Sequence, residues 1–253
     1  MIEEVLIVDK LLASGVEYTV YALEAGLLVY LLSCGLWKRQ LGVVFYLISL
    51  LAADWAVRPY FFHHYGLNSL AYANCYWLTD VVLALEAFGL MCIFLRRACT
   101  PQLWSVLRLS LIFVFILVAA YSYLSLLSHK ANLAHDFIYQ FEQNLFFTCL
   151  VLNTLLFVML QRIEHAEQEL GLLVCGMGIQ FAGPAANLAL VQVTSGWPAA
   201  YSLLGYVMPV CTLGMLLVWF YAITAAHKDE KDAIRESPSR MRVPILAEAA
   251  GVK

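Results

Sequence analysis

Charge is what this sequence has little of. Only 13% of its 253 residues are charged, while 62% are hydrophobic, against about 25% and 45–50% in soluble domains. A soluble fold would have no means of covering so much apolar surface. The net charge is only -3, which leaves no basic stripe of the kind nucleic-acid binders carry, so no nucleic-acid partner is expected. Met1 to Lys10 places Glu3, Glu4 and Asp9 where a secretory signal would place positive charge ahead of its apolar run, and no cleaved signal is expected.

Close cysteine pairs are also lacking. The seven cysteines are an odd number, none has the short spacing of a zinc or redox pair, and nearly all fall inside apolar segments. There a cysteine acts as a small hydrophobe, which argues against a disulfide framework. The sequence has no His-Glu-x-x-His, no Gly-x-Ser-x-Gly and no phosphate loop with its lysine. Gly176-Met177-Gly178 imitates part of a dinucleotide fingerprint but lies within an apolar run, not after a strand. No catalytic residue, metal or cofactor is therefore expected, and the chain reads as a non-enzyme. The last apolar run, Ala199 to Thr224, contains no lysine, which removes the Schiff base that a retinal protein requires.

What is present is a series of long apolar runs. About 20 residues rising 1.5 Å each cross the roughly 30 Å of bilayer hydrocarbon. Seven runs meet that length: Tyr18 to Trp37, Gln40 to Tyr60, Tyr72 to Leu95, Trp104 to Leu127, Phe137 to Gln161, Glu169 to Val191 and Ala199 to Thr224. The predicted fold is an all-α bundle of seven transmembrane helices embedded in the lipid bilayer. Its expected divisions are a short exported segment (1–17), the helical bundle (18–226) and a cytoplasmic tail (227–253). Twelve lysines and arginines fall on one side of this topology: Lys38, Arg39, Arg96, Arg97, Arg108, Arg162, Lys228, Lys231, Arg235, Arg240, Arg242 and Lys253. Lys10, Arg58 and Lys130 fall on the other. Cytoplasmic loops retain basic residues, so the N-terminus is expected outside and the C-terminus inside. The tail, broken by Ser237-Pro238-Ser239 and again by Pro244, is too short for a catalytic domain, and any output would pass through a membrane or cytoplasmic protein partner.

Leu41-Gly42 and Leu170-Gly171 each open a run, and Ala71-Tyr72 and Ala200-Tyr201 recur at the same offset of 129. That pattern hints at a three-plus-one-plus-three pseudo-repeat, as in some transporters.

Ionisable side chains at membrane depth are costly and so mark functional candidates. Here they are Glu24, Asp54, Asp80, Glu86 and Glu142, with Arg58 near the outer end of the second run. Counting from the outer boundary, Glu24, Asp54 and Glu142 lie about 8 to 9 Å deep, Asp80 about 12 Å and Glu86 about 21 Å. The plain reading is mutual satisfaction: Asp54 and Arg58 stand at i and i+4, the spacing of a local ion pair, while Glu24 and Glu142 lie shallow enough to be hydrated. The functional reading is an outward-open acidic pocket between helices one, two, three, five and six. Glu24, Asp54, Asp80 and Glu142 would draw a cationic or hydrogen-bond-donating ligand, Tyr76 and Trp77 would supply aromatic faces one turn outward from Asp80, and Asn187 lies at similar depth. Gln180 and Asn153 fall nearer the middle of the membrane.

Gly176, Gln180, Gly183 and Asn187 form one stripe of the sixth helix, and Pro184 frees the carbonyl of Gln180. Such a stripe suits close helix packing. His63, His64, His129 and His135 lie on the exported side, where solvated histidines are the simpler reading than a zinc or copper site.

Tyr76-Trp77-Leu78-Thr79-Asp80, continuing through Ala87-Phe88 to Ile93-Phe94, resembles a family of uncharacterised seven-helix bacterial inner-membrane proteins. Phe141-Glu142-Gln143 and the Lys38-Arg39 turn are similar too, although Asp80 stands where the family pattern leads one to expect glutamate. The resemblance covers most of the chain and implies the fold and a bacterial cytoplasmic membrane, with no activity to carry over. The expected role is a sensor or ligand-binding module. The alternatives are a small-solute or cation transporter or channel, and an accessory subunit of a membrane complex.

Overall fold

In a hydrocarbon environment the backbone must satisfy its own hydrogen bonds, and a helix does so within one segment. The computed structural model describes residues 2–67, 69–128, 133–162, 167–193, 207–228 and 231–232, with side chains over 15–67, 69–124, 140–162, 167–183, 207–228 and 231–232. Among the described residues there are helices and no strand. The long helices are α1 (Ile2–Ser33), α2 (Leu41–Tyr65), α3 (Leu70–Ala98), α4 (Pro101–Ser128), α5 (Leu133–Arg162), α6 (Gln168–Val193) and α7 (Val207–Lys228).

Among the described residues six stretches are long and apolar enough to cross a membrane: Gly15–Ser33, Leu41–Tyr65, Leu70–Ala98, Pro101–Leu124, Gln140–Arg162 and Val207–Lys228. The chain is thus a multi-pass helical membrane protein in contact with lipid. The expected sixth run falls on α6, whose side chains are described only as far as Gly183. The tail expected in the cytoplasm (227–253) lies almost wholly outside the described residues, as do the side chains of Asn187 and His135 and the whole of His129.

Helix ends follow local chemistry. Gly35 (φ 72°) and Gly66 (φ 74°) adopt positive φ values that glycine tolerates, and they stop the chain after α1 and α2. Ser69 caps α3 by accepting from the Tyr72 N–H at 3.1 Å, and Pro101 opens α4, where its missing N–H costs nothing. Two elements differ from expectation. Helix α1 begins well before Tyr18, because its opening residues contain no proline or cluster of turn residues to stop a helix. Helix α2 is interrupted by a π-helical turn at Ala53–Val57. Pro59 explains it: the ring has no N–H for the Trp55 carbonyl and would collide with it, and a wider turn just ahead relieves both problems.

Packing centres on α3, which meets α5 and α2, and on α5, which also meets α4 and α6. The core joins Leu27 and Leu31 of α1, Leu47 of α2, Met91 and Phe94 of α3, Leu156 of α5, Met177 of α6 and Trp219 of α7. Glycines let α6 and α7 approach. A Cβ on Gly176 would lie 2.7 Å from the Trp219 ring, and one on Gly183 would lie 3.2 Å from Cys211. The Trp219 indole donates to the Leu173 carbonyl at 2.9 Å. Helix α4 is peripheral, and Leu109, Ile112, Phe113 and Ile116 lie exposed along it.

One end of the bundle is fastened by polar groups that sequence spacing did not pair. Arg39 meets Glu169 at 2.6 Å, and Gln40 donates to the same carboxylate at 2.5 Å. Arg97 donates to Gln40 at 3.2 Å and to Glu167 at 2.6 Å. Ala222, Ala225 and Ala226 of α7 border the same region.

Candidate functional site

At the opposite end of α2, a cavity of about 660 Å³ opens between six helices. Its lining follows helical spacing. Tyr46, Leu50, Asp54, Arg58 and Phe62 descend one stripe of α2 in four-residue steps, and Tyr72, Tyr76, Asp80 and Leu83 follow one stripe of α3 in steps of four, four and three. The π-helical turn lies between Leu50 and Arg58 and holds Asp54. Helix α5 adds Glu142 and Phe146, α6 adds Gln180, and α1 adds Glu17, Val20 and Tyr21. Met208, Pro209 and Thr212 of α7 complete the wall, so a sixth helix joins the five expected.

Arg58 organises the polar side. Its Nη1 donates to Asp54 at 2.8 Å, its Nη2 donates to Asp80, and its Nε donates to the Thr79 hydroxyl at 3.1 Å. The Thr79 hydroxyl in turn donates to the Tyr76 carbonyl at 2.7 Å. The guanidinium carbon lies 4.5 Å from the centre of the Tyr76 ring, which stabilises the cation and fixes its plane. The i, i+4 pair of Asp54 and Arg58 is present and is one arm of a bridge reaching across to α3. Tyr76 therefore offers its aromatic face to Arg58.

The remaining expected residues separate. Glu142 lines the cavity. Glu24 does not: it lies one turn beyond Val20 and Tyr21, fully enclosed, and neither carboxylate oxygen finds a donor among the described residues. Its hydration at the interface is thereby corrected. Depth along a run does not say which way a side chain faces, and the packing of α1 turns Glu24 into the bundle. Trp77 is half-buried outside the lining, with its ring 6.0 Å from that of Tyr76. Glu86 accepts from Ser49 at 2.8 Å and takes no part in the cavity. His63 and His64 are exposed, and among the described residues no three metal-ligating side chains converge.

Tyr46, Tyr21 and Gln180 were not assigned to a pocket from sequence. For Tyr46 the four-residue ladder to Asp54 was the available signal. For Gln180 only its place on the glycine stripe of α6 was available. Among the described residues, four acids, Glu17, Asp54, Asp80 and Glu142, line the cavity against one base, Arg58. Tyrosine and phenylalanine rings form much of the remaining wall. Such a surface repels anions and can hold a cation with an apolar body. The chain matches no known family, curated protein or solved structure.

Proposed function

We propose that this chain is a seven-span ligand-binding module or sensor of the bacterial cytoplasmic membrane, with its N-terminus outside and its cavity facing outward. It takes up a cationic, hydrogen-bond-donating small molecule. The observation that carries the reading is the four-to-one excess of acids over bases around a 660 Å³ cavity, a volume within the range of small-molecule sites. Seven spans are favoured by the ion-paired end of the bundle. Arg97 follows the body of α3 and Glu167 precedes α6, yet they are bonded to each other. A chain that crosses and returns between them would meet that pairing, and α4 and α5 are each long enough to cross.

The test is binding by the full chain in lipid nanodiscs, measured calorimetrically with small organic amines and their neutral hydroxyl analogues. Amines bind and the neutral analogues do not. Asp80→Asn weakens amine binding several-fold while Glu86→Gln, outside the lining, changes it little. Equal binding of organic sulfonates would overturn the reading.

A small-solute transporter is the second reading. It is favoured by the placement of the cavity and the ion-paired cluster at opposite ends of the bundle, one open and one fastened. Uptake of the same amines into proteoliposomes separates the two.

A further inference from the structure

The acids around the cavity are not equivalent. Asp54 and Asp80 already receive the two ends of the Arg58 guanidinium. Glu142 receives no such bond, and its enclosed Oε2 has no donor among the described residues. Gln180, only 7% exposed, has an Oε1 in the same condition. Both side chains line the one cavity.

Their helices meet one turn along from Glu142. The Phe146 ring, one turn from Glu142, lies 6.2 Å from the ring of Phe181, the neighbour of Gln180. A buried acceptor without a donor has lost its hydrogen bonds to water without replacement and is destabilising. Two such acceptors on one cavity wall form a surface that a donor-bearing ligand would complete.

Resting on the reading of the cavity as a cation site, we propose that Glu142 and Gln180 are its head-group subsite, built for the primary ammonium of an organic amine. The ammonium gives one N–H to the Glu142 carboxylate and another to the Gln180 carbonyl. The hydrocarbon body lies along Phe146 and Tyr46, and Arg58 stays with its two aspartates. A quaternary ammonium carries the same charge but no N–H, so it could use only the aromatic faces. A bare metal ion would need several converging oxygens, and the described residues bring no such set together.

The experiment titrates phenethylamine and its N,N,N-trimethyl derivative into the full chain in nanodiscs, for wild type, Glu142→Gln, Gln180→Met and Asp80→Asn. The proposal expects phenethylamine to bind wild type roughly tenfold or more tighter than the quaternary derivative, since a hydrogen bond to a charged group contributes about 1.5–3 kcal/mol. Glu142→Gln and Gln180→Met should each erase most of that preference. The wild-type comparison needs no variant to fold. If both compounds bind wild type equally and only Asp80→Asn weakens them, the cation cavity stands and the subsite falls. If neither compound binds, the subsite and the cation reading fall together.

Discussion

Arg58 is the residue on which the polar side of the cavity depends. Its side chain and those of Asp54 and Asp80 are each about four-fifths buried, at 19%, 19% and 20% exposure. Removing one partner from a buried ion pair costs about 3–5 kcal/mol because the charge left behind has lost its compensation. Arg58→Leu strands two carboxylates and should lower the Tm of the purified chain far more than Asp54→Asn, which leaves the arginine held by Asp80. Thermal unfolding in detergent reads the difference, and equal melting of the two variants would show that the bridge contributes nothing. Half of this bridge was legible in the sequence, since Asp54 and Arg58 are one helical turn apart. The other half was not, because the rotation of α3 against α2 that brings Asp80 and Thr79 to the same guanidinium is a tertiary fact. Glu24 is a second case: its depth could be counted, but its facing depends on how α1 is rotated against the bundle.

At the scale of elements, glycine and proline decide how closely helices approach and where they widen. The glycine stripe of α6 was readable as a packing seam, and Gly176 and Gly183 do admit Trp219 and Cys211 of α7. The π-helical turn of α2 was not anticipated, although Pro59 is its visible cause. A packing seam predicts a contrast within one helix. Gly176→Ala places a methyl 2.7 Å from the Trp219 ring, whereas the same change at Gly171 meets nothing within 4 Å. Overpacking costs about 1–3 kcal/mol, while alanine is favoured over glycine in a helix by about 1 kcal/mol. Gly176→Ala should therefore destabilise the chain, and Gly171→Ala should be neutral or stabilising. Melting curves of the two variants in one detergent decide it, and equal loss at both sites would refute the seam.

For the whole molecule, orientation and the number of crossings are linked by the ion-paired end. Arg39 and Gln40 lie at the start of α2, Arg97 near the end of α3, Glu167 and Glu169 at the start of α6, and Ala226 near the end of α7. Bonds and shared cavity walls place all of them at one end of the bundle, although the basic members were legible in sequence only as a count per side. Glutamates meet the arginines there, so the pairing itself does not choose a side of the membrane. The choice rests on the surplus of twelve basic residues against three, since retention in the cytoplasm follows lysine and arginine and is little affected by acids. A periplasm-dependent phosphatase fused after Lys38, Ala98, Arg162 or Lys253 should be silent, and one fused after Leu67 or Lys130 should be active. The fusion after Lys130 is the sharpest arm, because it reports whether α4 crosses between the retained end of α3 and the retained start of α6. Activity after Lys38 and Ala98 with silence after Leu67 would invert the molecule and turn the acidic cavity toward the cytoplasm. Silence after Lys130 alone would leave α4 and α5 on the inner face, reduce the crossings to five, and take Glu142 and Phe146 of α5 out of the cavity wall.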